Sequence, residues 1–246
     1  MKRSCDLVLA SASPRRRQLL ERLGLVLRLA PVDLDETPLP GERPGDCVRR
    51  LAAAKCDAAV AALAATAGAS RIAHGDADAA GDAAGLVTVL GADTMVSLDN
   101  QIFGKPGDAA EARAMLARLA GRRHEVTTAY RIWRGPARAP ADTVGAAPRA
   151  HLEVRVIDRA VTTLVSFRLL QPAEIDAYAA CGEWQGKAGG YALQGIAGAF
   201  TSELRGSHTN VIGLPLAEVL ADLIAAGALA DYPAPGFGGA PASAAT

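Results

Sequence analysis

Apolar and polar positions change period along this chain, and the changes mark its elements. Leu7 to Ala10 is a short apolar run of buried-strand type. Behind it Ser13 is a good N-cap, Pro14 fits the first helical position, and Leu19, Leu20 and Leu23 form an apolar stripe that Gly24 stops. Leu25 to Val32 reads as a second strand, ending in the acidic loop Asp33-Leu34-Asp35-Glu36. A long helix is predicted from Asp46 to about Thr66, with polar Arg49, Arg50 and Lys55 alternating with Val48, Leu51, Ala52 and Val60. Leu86 to Leu98 is an apolar strand interrupted at Gly91-Ala92-Asp93-Thr94, and Asp99-Asn100 turns it into Gln101 to Gly104. Asp108 should cap a helix to about Ala120, with Glu111 as its capping-box partner. His124 to Trp133 is a strand, and His151 to Leu170 is one long strand or a strand pair. Pro172 opens a helix to about Cys181. Phe200–Leu204 and Asn210–Ile212 read as a hairpin, and Leu214 to Ala225 is the last helix. Strands and helices alternate, so the fold class is α/β with a mixed, twisted sheet and flanking helices.

Two stretches, 68–85 and 135–150, are rich in Ala, Gly, Pro and Asp and read as surface insertions. The tail from 233 to 246 reads as disordered, which leaves residues 1–232 as one domain. A chain of 246 residues, half of them apolar, can bury a large core. Its formal charge is zero and no half is markedly basic, which argues against a nucleic-acid surface. The four cysteines form no C-x-x-C pair, so reduced thiols in the cytoplasm are expected. The four histidines are dispersed and suggest no zinc site. The N-terminal apolar run is too short for a signal peptide, and Ala58 to Ala69 is too short for a membrane span.

The helix start at Ser13 carries Arg15, Arg16 and Arg17. Successive helical residues point about 100° apart, so at most two of the three can face one ligand. With Ser11, Ser13 and the N–H groups of the first turn, they suit an anion such as phosphate. There is no P-loop and no G-x-G-x-x-G after this strand, so nucleotide chemistry needs another architecture. Asp93, an acid within an apolar strand, demands a cation or hydrogen-bond donors, whether as an ion pair or as a metal ligand and general base. Lys105 and Lys187 sit beside turn glycines, Glu36 follows a strand, and Gln194 offers both a donor and an acceptor. Each alone is as readily a solvated side chain. Together they resemble a polyphosphate site with a metal.

Five ordered motifs, Ser11-Ala-Ser-Pro-Arg-Arg16, Gly91-Ala-Asp-Thr94, Gly104-Lys-Pro106, Lys187-Ala-Gly-Gly-Tyr-Ala-Leu-Gln-Gly195 and Asn210-Val-Ile-Gly-Leu-Pro-Leu216, resemble the Maf family, the septum-formation-inhibitor proteins that act as nucleoside triphosphate pyrophosphatases. The resemblance spans about residues 5 to 226. It implies two lobes around a cleft and hydrolysis of a nucleoside triphosphate to monophosphate and pyrophosphate with Mg²⁺ or Mn²⁺. Carried over by position, Asp93 looks like the proton acceptor and, with Glu36, a metal ligand. Ser11, Arg16, Glu36, Lys105 and Lys187 fall on phosphate and metal positions, and Arg15, Thr94 and Gln194 on positions of substrate choice. That last set is similar to the branch acting on dTTP and UTP; a preference for 7-methyl-GTP, or a nucleotide-binding regulator of septum formation, are the alternatives. Relatives often pair as homodimers, and no membrane or nucleic-acid partner is expected. One departure is Gly186, where many relatives carry an acid before the lysine. All of this requires the arginine-bearing helix start and Asp93 to face one pocket.

Overall fold

The computed structural model describes residues 7–69, 85–136, 153–229 and 232. Seven strands form one mixed sheet: β1 (Leu7–Ala10), β2 (Leu27–Leu29), β3 (Leu86–Leu98), β4 (Gln101–Phe103), β5 (Arg123–Pro136), β6 (Arg155–Phe167) and β7 (Thr201–Arg205). Their order is β2-β1-β3-β5-β6-β7, with β4 folded back on β3. β1 runs parallel to β2 and β3, and every other pairing is antiparallel. Asp99 and Asn100 adopt φ of 51° and 61°, the left-handed pair that a tight two-residue hairpin requires.

Among the described residues six α-helices flank the sheet: α1 (Pro14–Arg22), α2 (Pro44–Ala69), α3 (Ala109–Leu119), α4 (Pro172–Cys181), α5 (His208–Ile212) and α6 (Leu216–Ala225). Alternate residues of a strand face opposite sides. Val87 and Val89 accordingly pack under α2 with Cys56 and Ala59. Leu90 and Ala92 pack on the other face with Leu19 and Leu20 of α1 and Val219 and Leu223 of α6. A separate core gathers Val96, Leu98 and Phe103 with Leu116 of α3, Tyr178 of α4 and Phe167 of β6. The long strands β3, β5 and β6 thus run through two lobes, as expected.

The gap between those lobes is visible in the pairing of β3. β1 covers its edge from Thr88 to Gly91 and β4 covers it from Val96 to Leu98. From Ala92 to Met95 that edge has no strand partner among the described residues. Asp93 and Thr94 lie in this opening, beside the end of β1 and the start of α1. Crevices at the carboxyl ends of parallel strands are the usual ligand sites of α/β sheets.

Several expectations need correction. β3 is not interrupted at Gly91–Thr94: it pairs with β5 without a break, Gly91 opposite Arg131 and Thr94 opposite Thr128. The glycine answers a packing demand instead, because a Cβ there would lie 2.5 Å from the Cys56 nitrogen and 2.7 Å from the Ala52 oxygen of α2. β2 is only Leu27–Leu29, since β1 turns away at Ser11 and leaves later residues little to pair with. The Asn210–Ile212 hairpin arm is instead helix α5, started by Ser207, whose hydroxyl accepts the Asn210 N–H at 3.3 Å. β6 is one strand, not a pair. Asp108 caps α3 as expected, but Glu111 reaches back to Gly107 N rather than to the cap residue. α6 starts at Leu216, with Pro215 as its cap. α2 runs to Ala69 and β5 to Pro136, into the stretches expected as insertions. Residues 70–84 and 137–150 of those insertions, and the tail from 233, lie outside the described residues.

Candidate active site

Two carboxylates meet at one ammonium group in the opening. Lys55 Nζ on α2 donates to Glu36 Oε1 and to Asp93 Oδ1, each at 2.6 Å, and Lys105 Nζ donates to Glu36 Oε2 at 2.5 Å. Asp93 and Lys55 are both buried, while Glu36 is half-exposed and Lys105 exposed. Desolvation pushes the Glu36 carboxyl upward, but the ammonium groups of Lys105 and Lys55 outweigh it and hold the group at about 2. Asp93 Oδ2 carries no hydrogen bond to a described residue, and so remains an acceptor.

On the other face of β3 stands Arg16. Its Nε donates to Gly213 O at 2.9 Å, one terminal nitrogen to Ser11 Oγ at 3.0 Å and the other to Thr94 Oγ1 at 2.9 Å. Burial pulls this guanidinium below its ordinary value, and the fields of Asp93 and Glu36 partly restore it. Three of its five N–H groups are engaged, which leaves two for a ligand. Ser11 Oγ accepts from Arg16 and from Ser13 N at 3.2 Å, so its own proton is free to be donated outward.

The proton order behind Arg16 follows from counting donors. Thr128 Oγ1 donates its single proton to Asn210 O at 2.8 Å. It must therefore accept from Thr94 Oγ1 at 2.9 Å, and Thr94 in turn accepts from Arg16. Asn210, fully buried, anchors this chain: its amide donates to Val126 O and Thr163 Oγ1, each at 2.9 Å, and accepts the Thr128 N–H at 3.2 Å. Thr94 is thus committed to orienting Arg16.

The three arginines divide as their helical spacing requires. Arg16 is buried, Arg15 is half-buried, and Arg17 points outward to pair with Glu21 at 3.5 Å. The expected crown of free N–H groups is thinner than anticipated: Ser13 Oγ accepts the Arg16 N–H at 3.5 Å and Ser13 O accepts the Arg17 N–H at 3.3 Å. Lys187 is half-buried, and burial, then the charge of Arg15, lower its proton affinity. Its loop is tied to that of Lys105 by Gly189 N–H donating to Gly104 O at 2.9 Å. Gln194 is exposed.

Ser11, Arg16 and Thr94 therefore form one hydrogen-bonded group, and Asp93, Glu36 and Lys105 form a second one through Lys55; the charges of Asp93 and Glu36 act on Arg16, that of Arg15 acts on Arg16 and Lys187, and Gln194 belongs to neither group. The sequence reading missed Lys55. Its signal was present, because position 55 falls three or four residues from Leu51, Ala52 and Ala59, on the buried stripe of α2. A lysine on such a stripe needs an acid.

Residues 6–226 match the model of the family described as Maf-like protein. The chain is 45% identical over 221 residues to a protein of Anaeromyxobacter dehalogenans (strain 2CP-1), covering 90% of this chain and 94% of that one. It is 44% identical to a protein of Cereibacter sphaeroides, covering 90% and 95%, and 45% identical to one of Sphingopyxis alaskensis, covering 90% and 96%. All three relatives bear the name dTTP/UTP pyrophosphatase.

Proposed function

Because the chain belongs to the Maf-like protein family, we propose that it is a nucleoside triphosphate pyrophosphatase hydrolysing dTTP and UTP to the monophosphate and pyrophosphate. The observation that carries this reading is the meeting of Asp93, Glu36 and Arg16 in the open edge of β3, where an acceptor for a water proton lies beside donors for phosphate. Arg15, Arg16, Lys55, Lys105 and Lys187 outnumber Asp93 and Glu36 by three charges, a surplus that suits a triphosphate.

Two carboxylates sharing one ammonium group stand close enough to share a divalent cation. A metal held there by two carboxylates would be completed by substrate phosphates and water. Glu36 and Asp93 would hold it, and when bound it would neutralise charge on the phosphoryl oxygens. Ser11 O–H, the two remaining Arg16 N–H groups, Lys105 and Lys187 hold the phosphate chain. Lys55 fixes the Asp93 carboxylate through Oδ1, leaving Oδ2 to take the proton of the attacking water. The water oxygen bonds to the α-phosphorus, the bond to the bridging oxygen breaks, and pyrophosphate leaves.

The imide edge of thymine and uracil presents an N–H between two carbonyls. Gln194 offers the complementary pair, and Arg15, which only donates, favours carbonyls over amino groups. No helix among the described residues is long and apolar enough to cross a membrane. With three free thiols there, the enzyme acts in the cytoplasm on the nucleotide pool. The test is a panel of triphosphates with Mg²⁺ and Mn²⁺, each assayed for pyrophosphate and monophosphate. dTTP and UTP should lead it; preference for 7-methyl-GTP, or release of orthophosphate, would contradict the proposal.

A further inference from the structure

Glu183 lies outside the motifs and outside the cluster around Asp93, yet it joins the two loops that should grip opposite ends of a nucleotide. α4 ends at Cys181, and Gly182, with φ of 74°, turns the chain back. The buried Trp184 anchors the turn, its indole N–H donating to Ala179 O at 2.8 Å. Glu183, half-buried between them, points its Oε2 at the backbone of a residue thirteen positions later, accepting the Ile196 N–H at 2.9 Å. Gly195 lies so close to this carboxylate that any Cβ there would overlap it. Among the described residues no other side chain bonds the backbone between Leu193 and Gly198, and Gln194 lies within that stretch. Glu183 also acts on the other arm of the loop, because its charge strengthens the hold of Lys187 on its proton.

We propose that Glu183 is a positioning residue for base selection, which sets the Gln194 segment at a fixed distance from Lys187 so that amide and ammonium engage one nucleotide together. The inference rests on the pyrimidine triphosphatase reading and names the device that makes it selective. A carboxylate suits this role, since it accepts a backbone N–H strongly and stays short of the ligand. Without it no side-chain hydrogen bond from the described residues holds the Gln194 segment, and the amide loses its pre-set orientation.

The experiment compares kcat/KM for dTTP and dGTP in wild type, Glu183→Ala, Glu183→Gln, Gly195→Ala and the double variant Glu183→Ala/Gly195→Ala. Wild type should prefer dTTP. Glu183→Ala should cut that preference about tenfold, mainly through a higher KM for dTTP, the scale of one lost charge-assisted hydrogen bond. Glu183→Gln should recover most of it, because the amide oxygen still accepts from Ile196. Gly195→Ala should match Glu183→Ala by forcing the carboxylate away, and the double variant should be no worse than either single one. A folded Glu183→Ala enzyme with the wild-type preference, or a double variant whose losses add, overturns the inference. Should Glu183→Ala fail to fold, an unchanged preference in Gly195→Ala does the same. A wild type without preference for dTTP contradicts the parent reading instead, and is seen before any variant is compared.

Discussion

At Lys55 one ammonium group serves two carboxylates in a buried place, so its removal should be felt in three ways. Lys55→Met leaves Asp93 buried without its cation, which should cost about 3 kcal/mol of stability, read by urea denaturation. Activity on dTTP should fall at least about a hundredfold, because the carboxylate proposed to take the water proton loses its fixed orientation. The pH profile should change as well. Glu36 is held at about 2, so in wild type it stays ionised through the whole working range. Without Lys55 its pKa rises toward the ordinary carboxylate range, and an acid limb in kcat/KM should climb with it; an unmoved limb would contradict the shared-ammonium geometry. Thr94→Val removes one of the three acceptors of Arg16 and should raise KM for dTTP roughly tenfold, with Thr94→Ser recovering most of the loss. Most of these residues were legible in the sequence because each stands at an element end or breaks an apolar run, as Asp93 does. Lys55 was overlooked although it lies on the buried stripe of α2, because the alanine-rich helix blurs the boundary between its buried and exposed faces.

Gly91 decides how α2 meets the sheet. The backbone of Ala52 and Cys56 presses on it, and this close approach brings Lys55, which precedes Cys56, to Asp93. Gly91→Ala should therefore push α2 away, costing about 1–3 kcal/mol by overpacking and lowering kcat at the same time. A variant equal to wild type in both urea midpoint and kcat would show that the approach is dispensable. The glycine was readable as a site of close approach, but not which element approaches, since that depends on a helix some forty residues earlier. α5 escaped the sequence reading for a related reason. Five residues carry too little periodicity to reveal a helix, and this one is held by tertiary bonds of Asn210 to β5 and β6.

The described residues pack into several apolar clusters around the sheet, and the one beyond β4 contains a titratable group. His124 is buried against Phe167 and Tyr191, with Nε2 2.8 Å from the Tyr191 hydroxyl. Desolvation lowers its pKa from 6.5 to about 4. The folded state therefore keeps it neutral where the unfolded chain would protonate it. Its stabilising effect is complete above pH 6.5 and is lost as pH falls toward 4, a change on the order of 3 kcal/mol. Urea midpoints should drop between pH 7 and pH 5, and His124→Gln should flatten that slope; equal slopes would assign the acid sensitivity elsewhere. The α/β class and the element order were legible from periodicity, whereas the gap in the edge of β3 was not, because it arises from where β1 and β4 stop pairing. That gap is where we propose that the activity is located, and one rate tests it most directly: pyrophosphate release from dTTP by Asp93→Asn at saturating Mg²⁺, beside wild type. The account predicts a loss of at least about a hundredfold in a folded protein. Turnover close to that of wild type would contradict it.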